Sequence, residues 1–301
     1  TVKIILKEAR RSKYSPKLIA RTIKTHKSEL IGLLLPSVSN PFFAELASHV
    51  ISSIQKTPYT TVIMDTMENS HIFRDNVSTL VSKGVDGIIA VPCGNGEDEQ
   101  IFLESIDRNY CPVVMLDRFF LNTSLPYVTV DNYIGGGMAV ERLINAGHSK
   151  IACIQGKSSS LPNIERVRGY RDAMSDNGLV KFIEIEGNEF SIDNGYMSMK
   201  KLISSKNRPT AIFANSNTIL QGTLKAMEEH GLEIGRDISI VSFDNVYSFR
   251  TSERKIAHIN QPMADMAAIA VRILISRLEG GKKVTSQIKL APTLVEGDSV
   301  N

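Results

Sequence analysis

Leu30-Ile31-Gly32-Leu33-Leu34-Leu35-Pro36-Ser37-Val38-Ser39-Asn40-Pro41-Phe42-Phe43-Ala44-Glu45-Leu46-Ala47-Ser48-His49-Val50-Ile51-Ser52-Ser53-Ile54 decides the fold. Leu30–Leu35 is an unbroken apolar run of strand length, the pattern of a strand buried on both faces. Pro36 and the polar residues behind it end the run. Phe43, Leu46, Ala47, Val50, Ile51 and Ile54 then recur at offsets of 3, 4, 7, 8 and 11, one face of a helix. A buried strand, a short polar turn and an amphipathic helix make the opening of a βα unit.

The same alternation continues along the chain. Strand-like runs fall at Thr60–Met64, Gly87–Val91, Pro112–Leu116, Tyr127–Val130, Lys150–Ile154, Ala211–Ala214 and Ile238–Ser242. Longer amphipathic stretches lie between most of them, among them Val140-Leu143-Ile144, closed by Gly147. Helices returning between doubly buried strands mean parallel sheets. Eight such runs exceed one small sheet, and no short repeat suggests a solenoid. The expected fold class is therefore α/β, two doubly wound parallel-sheet lobes, for which 301 residues supply enough core. Ligands in such sheets bind outside the carboxyl ends of the strands.

Composition is that of an ordinary globular protein. No apolar stretch approaches the roughly 18–20 residues of a membrane span, and the first residues lack a secretory apolar segment. The odd, scattered cysteines (Cys93, Cys111, Cys153) read as reduced thiols of a cytoplasmic protein and as small core side chains. Charge is distributed unevenly. Residues 1–29 carry nine Lys/Arg against Glu8 and Glu29, a net +7, whereas the rest carries 26 bases against 30 acids, a net −4. Val2, Ile5, Leu6 and Ala9 define one helix face, Ser15-Pro16 interrupts it, and Pro16 suits the start of a second short helix at Lys17–Lys24. That helix is too short to stand alone in water, where roughly 12–15 residues is already marginal. A basic head on a receptor-like body points to a nucleic-acid binder under ligand control.

Enzyme chemistry finds no support in the motifs. Gly94-Asn95-Gly96 lacks the third glycine of a dinucleotide fingerprint, and Gly135-Gly136-Gly137 lacks the Lys-Ser/Thr of a phosphate loop and reads as close helix packing. The histidines show no metal-ligand spacing, and no nucleophile elbow is present. No cofactor or metal is expected. The segments after the strands carry a different chemistry: Asn40, Phe42, Phe43, Asp117, Arg118, Arg166, Phe190, Ser216, Asp244 and Gln261. Flat rings cover the C–H faces of a sugar, while carboxylates and guanidinium groups hydrogen-bond its hydroxyls. Singly, each residue has a plainer reading. Phe42 and Phe43 fit a core, Asp117-Arg118 a surface ion pair, and Arg166 a helix-face pair with Glu165 or Asp172. Asp131 and Asn132 read as a helix cap.

Tyr14-Ser-Pro-Lys-Leu-Ile-Ala-Arg-Thr-Ile-Lys-Thr-His-Lys-Ser28 with Ile31–Pro36 resembles the LacI/GalR family of bacterial transcription regulators, as do Asn40–Phe43, Gly84–Ile89, Val128–Asp131, Gly147–Ala152, Arg166–Tyr170, Arg208–Phe213, Val241–Asn245 and Ile259–Pro262. The resemblance spans nearly the whole chain. It implies a helix-turn-helix domain, a hinge helix and a body like the type I periplasmic sugar-binding proteins. Residues 1–13 match the last helix of that first domain and the two helices before it have no counterpart, so full operator affinity is expected only of an intact protein. The hinge falls on Lys17–Lys24, with Ile23 at the minor-groove wedge position where leucine is usual, Ala20 allowing close approach, and Lys17, Arg21 and Lys24 facing phosphates.

The resemblance further implies lobes at 30–130 with 262–288 and at 131–261 with 289–301, chain crossings near Val130–Asn132, Gln261–Pro262 and Gln287–Leu290, and a homodimer. The ten receptor residues resemble the sugar contacts of the ribose-binding branch, except that Ser216 stands where that branch has asparagine. A pentose-like effector follows, ribose first. A stand-alone sugar receptor of periplasmic type is the alternative, which would need neither hinge nor basic head.

Overall fold

The computed structural model describes residues 27–94, 96–244, 255–280 and 286–301. The expected DNA contacts Lys17, Ala20, Arg21, Ile23 and Lys24 lie outside the described residues. The described chain forms two lobes of alternating strand and helix. The first contains β1 (Leu30–Leu35), α1 (Pro41–Ile54), β2 (Thr60–Asp65), α2 (Ser70–Ser82), β3 (Gly87–Ala90), α3 (Glu97–Asn109), β4 (Val113–Leu116) and β5 (Tyr127–Val130). The second contains α4 (Asn132–Asn145), β6 (Ile151–Ile154), α5 (Leu161–Asp176), β7 (Glu184–Glu186), α6 (Ile192–Ile203), β8 (Ala211–Ala214), α7 (Asn217–Glu229), β9 (Ser239–Phe243) and β10 (Ala257–Asn260). The chain then returns to the first lobe for α8 (Met263–Leu278) and β11 (Gln287–Leu290) and crosses again for β12 (Thr293–Val295).

The two sheets share one plan. The first runs β11-β5-β4-β3-β1-β2, parallel throughout. The second runs β12-β10-β9-β8-β6-β7, parallel except for the antiparallel pair β10–β12. Central strands β3, β4, β5, β6, β8 and β9 are buried at every residue, as their continuous apolar runs require. In each sheet the strand order reverses beside the first strand, which opens a crevice at the carboxyl ends.

Four of the strands, β7, β10, β11 and β12, are not among the eight runs read as strands; in β10 the polar His258 and Asn260 break the apolar run. β7 is Glu184-Ile185-Glu186 on an edge, and β12 is a three-residue edge strand; neither presents an apolar run. Gln287–Leu290, read as a crossing, is itself a strand, paired with β5 along its whole length from Gln287↔Tyr127 to Leu290↔Val130. The passage between sheets thus falls after Leu290, two residues beyond the 288/289 boundary. The other two passages lie at Asp131, between β5 and α4, and at Gln261-Pro262, between β10 and α8. The Asp131 amide donates to the Leu290 carbonyl at 2.8 Å, so two passages run side by side.

The glycine run 135–137 sits in α4 at its crossing with α5. A methyl group on Gly135 would strike the Phe243 ring, and one on Gly136 the Arg166 backbone; Gly169 of α5 is equally close to Tyr133 and Gly137. The contact between α6 and α7 uses the same device at Gly195 and Gly222. These crossings set the depth at which the second lobe's functional side chains emerge.

Candidate functional site

All ten receptor residues read from the sequence line one cavity of about 590 Å³ between the lobes. From the first lobe come the β1–α1 turn (Asn40, Phe42, Phe43), the segment after β2 (Asp65, Met67, Glu68) and the segment after β4 (Asp117, Arg118). From the second come α5 (Ser160, Pro162, Arg166), the start of α6 (Phe190, Ile192), the start of α7 (Ser216, Asn217, Thr218, Gln221), Asp244 behind β9, and Gln261 at a passage between lobes. Every one of these segments lies at the carboxyl end of a strand.

The wall is organised by helix starts and strand ends. Asn40 caps α1, accepting from the Phe42 amide at 3.1 Å, and its Oδ1 also accepts from Asn217 Nδ2 of the other lobe at 3.4 Å. Phe42 and Phe43 meet edge to face, centroids 5.1 Å apart. Phe190 lies against Gly156, where a side chain would occupy its ring. Asp117 and Asp244 occupy matching positions, each directly after the third strand of its lobe's central run. Both adopt left-handed backbone, with φ of 66° and 65°. For a residue with a Cβ this costs energy and marks a functional constraint, although aspartate tolerates it better than most.

The charged groups form two clusters. In the first lobe Arg118 is 8% exposed. Its two terminal nitrogens donate to the two oxygens of Glu68, each at 2.8 Å; Nε lies 3.9 Å from Asp117, and the guanidinium stands 5.5 Å above the Phe43 ring. In the second lobe Arg166 is 4% exposed. Its Nε donates to Asn132 Oδ1 and Nη1 to the Asn215 carbonyl, both at 2.8 Å, and its plane covers Phe243 at 3.5 Å. Gln261 Nε2 donates to both oxygens of Asp244, at 3.1 and 3.0 Å, leaving Gln261 Oε1 buried without a partner among the described residues. Ser160 Oγ, also on this wall, is in the same state. Buried polar atoms without partners are costly in a folded protein.

Burial dominates the ionisation of these groups. It pushes the Asp244 carboxyl up to about 7, against the opposing pull of Arg166 and the Gln261 bond. Asp117 is raised for the same reason, with Arg118 and Arg166 working against the shift. Burial lowers Arg166 to about 10, and Asp244 and Asp117 keep it from falling further, so it is cationic at neutral pH. Burial also disfavours the Arg118 cation, but Glu68 and Asp117 outweigh it and raise its pKa. The three cysteines are buried thiols; burial pushes Cys93 and Cys111 up to about 12 and Cys153 higher still, which makes them inert core side chains.

Several plainer readings fall away on this geometry. Asp117-Arg118 is buried, not a surface pair, and Arg166 turns inward, while Glu165 pairs with Arg168 and Asp172 accepts from the Tyr133 hydroxyl. Asp131 does cap α4, accepting from the Ile134 amide at 3.0 Å. Asn132 does not cap; it orients Arg166. Ser216, the serine that stands where the ribose-binding branch has asparagine, caps α7 through its hydroxyl, which also meets Thr218 Oγ1 at 3.0 Å. Sequence reading missed Glu68, Asn132, Asn215 and Asn217. Each acts on a residue at least 30 positions away in sequence, and no local spacing reveals such a pairing.

The fold and the lined cleft define a receptor of the periplasmic-binding-protein type: residues 140–300 match the periplasmic binding protein-like domain. The chain is similar to the ribose operon repressor of Haemophilus influenzae, 30% identical over 95% of this chain and 86% of that one. It is also similar to the HTH-type transcriptional repressor PurR of Edwardsiella ictaluri, 31% identical over 95% and 84%. Among solved structures it superposes on a periplasmic binding protein/LacI transcriptional regulator from Alkaliphilus metalliredigens complexed with D-xylulofuranose (TM-score 0.79, 25% identity, 91% of this chain and 99% of that chain). The chain belongs to the LacI family of transcription regulators, ligand-responsive repressors rather than enzymes. No helix among the described residues is long and apolar enough to cross a membrane.

Proposed function

We propose that the cleft binds a pentose-like sugar, ribose or a close relative, and that its occupancy controls operator binding by a homodimer through the hinge segment. One observation carries this reading. Two facing aromatic walls, two buried aspartates and two buried arginines, drawn from five strand ends, converge on a single cavity. The rings suit a sugar's C–H faces and the charged groups its hydroxyls, and a site of this kind rejects a sugar lacking a required hydroxyl because a buried polar group is stranded. The Alkaliphilus relative's bound ketopentose and the ribose operon repressors among the relatives support the same substrate class.

In this reading Asn40, Phe42, Phe43, Asp117, Arg118, Arg166, Phe190, Ser216, Asp244 and Gln261 surround the effector. Lobe closure shifts the first lobes across the dimer and changes the spacing of the hinge segments at Lys17–Lys24 on DNA. Ala20 and Ile23 approach the minor groove; Lys17, Arg21 and Lys24 contact phosphates. Titration calorimetry against ribose, xylose, xylulose, arabinose and galactose tests the ligand class. A pentose is expected to bind; tight hexose or purine binding with no pentose heat refutes the reading. Asp244→Ala and Arg166→Ala are expected to weaken binding about 10–100-fold each, the scale of a lost hydrogen bond to a charged group, while the dimer mass is kept.

A further inference from the structure

The charges on the cavity wall are unbalanced. Four carboxylates (Asp65, Glu68, Asp117, Asp244) face it with two guanidinium groups (Arg118, Arg166), and no lysine is among the described residues of that wall. Of its five N–H donors Arg118 commits three to the protein, and Arg166 two. Glu68 takes the two terminal nitrogens of Arg118 in a fork at 2.8 Å, and the Pro92 carbonyl lies 3.4 Å from one of them. Arg166 spends Nε and Nη1 on Asn132 and Asn215. The other anion-attracting feature, helix starts aimed at the cleft, is partly occupied, although α5 carries no side-chain cap. Side chains of Asn40, Ser191 and Ser216 occupy amides at the starts of α1, α6 and α7, and Pro162 removes one from the start of α5.

Glu68 belongs to a segment whose backbone is constrained: Met67 and Glu68 are consecutive left-handed residues, φ 51° and 53°. Asp65 holds that segment by accepting from the Met67 and Val38 amides at 2.8 and 3.0 Å. The carboxylate of Glu68 is thus delivered to Arg118 by a fixed turn, 50 residues away in sequence. Arg118 is the planar, forked donor that would otherwise take a phosphate bidentately.

We propose that Glu68 is a specificity residue: by occupying the fork of Arg118 within an acid-rich cleft, it makes the site accept an uncharged polyol and reject the phosphate ester of the same sugar. This rests on the reading of the cleft as a sugar site. It deepens that reading by fixing the ligand as the free sugar, not its phosphorylated form. Glu68 leaves Arg118 positioned over Phe43 but closed to a second anion.

Calorimetry with ribose and ribose 5-phosphate tests it on the wild type, Glu68→Gln and Asp65→Asn, each first checked by thermal melt. The wild type is expected to bind the phosphate about 100-fold more weakly than ribose, the order that like-charge juxtaposition produces. Glu68→Gln is expected to narrow that ratio about 10-fold, because one terminal nitrogen of Arg118 is released. Asp65→Asn removes the same formal charge and keeps one amide-accepting oxygen on the turn, so Glu68 stays in the fork, and it is expected to narrow the ratio far less. Equal affinity of the wild type for both ligands, or a ratio unchanged in Glu68→Gln, overturns the proposal. Equal narrowing in Asp65→Asn overturns the assignment to Glu68 in favour of net charge. Binding of ribose with no discrimination refutes this inference alone, whereas absence of binding by any pentose refutes the sugar reading beneath it.

Discussion

Asp244 is the residue whose environment makes the clearest demand. Burial holds its carboxyl near 7, with Asp117 and Glu45 adding to the shift and Arg166 and Gln261 resisting it. Between its ordinary pKa of 3.8 and about 7 the folded protein therefore binds more protons here than the unfolded chain does. The contribution of this group to stability falls as pH rises through that window, by an amount of order a few kcal/mol. Ligand binding has the opposite sign. Sugar hydroxyls donate to the anion, so binding lowers the Asp244 pKa and releases a proton. Affinity is expected to rise about 10-fold or more from pH 5 to 7 and to level off above pH 7. Asp244→Asn is expected to flatten the profile, and calorimetry at pH 6 in buffers of different ionisation heat should register the released proton. A pH-independent affinity in the wild type would contradict this account. Asp244 was legible in the sequence because it closes a strand-like run in a resembling motif. Glu68 was not, since its partner Arg118 is brought to it only by the pairing of distant strands.

At the scale of elements, the helix crossing of α4 with α5 decides where Arg166 stands. The run Gly135-Gly136-Gly137 reads from sequence as close packing, but three identical residues do not reveal which one touches. A Cβ on Gly136 would overlap the Arg166 carbonyl, whereas one on Gly137 would meet the Gly169 carbonyl only at 3.9 Å, an ordinary contact. The two alanine substitutions should therefore differ in sign. Gly136→Ala is expected to cost about 1–3 kcal/mol by forcing the helices apart, and to weaken sugar binding by displacing Arg166. Gly137→Ala is expected to stabilise by about 0.5–1 kcal/mol, the usual gain of alanine over glycine inside a helix. Thermal melts of the two variants with shifts of the same sign would refute the packing account. Central strands and long helices were legible because burial on both faces, or on one, prints an apolar period into the sequence. The edge strands β7 and β12 print none: half their surface faces solvent, and in β7 two glutamates flank one isoleucine.

For the whole molecule, the consequence of two sheets built on one plan is that the cleft has two walls, joined among the described residues by the passages at Asp131, Gln261-Pro262 and the segment after Leu290 and by one apolar cluster that includes residues of both lobes. Each wall presents one left-handed aspartate and one buried arginine, but the direct polar tie from Asn217 to Asn40 across the cleft is long at 3.4 Å. Without ligand, three connections, this long bond and the shared apolar cluster set the angle between the lobes. A sugar that hydrogen-bonds Asp117 on one side and Asp244 and Arg166 on the other would add several bonds across that gap at once. It would also supply partners for Gln261 Oε1 and Ser160 Oγ, whose lack of them disfavours the unliganded state. Binding free energy is thereby coupled to lobe angle, since only the closed arrangement makes both sets of contacts. Small-angle X-ray scattering is expected to show a smaller radius of gyration for the protein at saturating sugar than without it. Arg166→Ala, which removes one side of the bridge, should lose most of the compaction even at sugar concentrations that restore occupancy. Asn217→Ala should leave the liganded value unchanged and raise only the unliganded one. A full heat of binding in the wild type with no change in radius would mean that the sugar is held by one wall alone, and the coupling of cleft to hinge would then need another route.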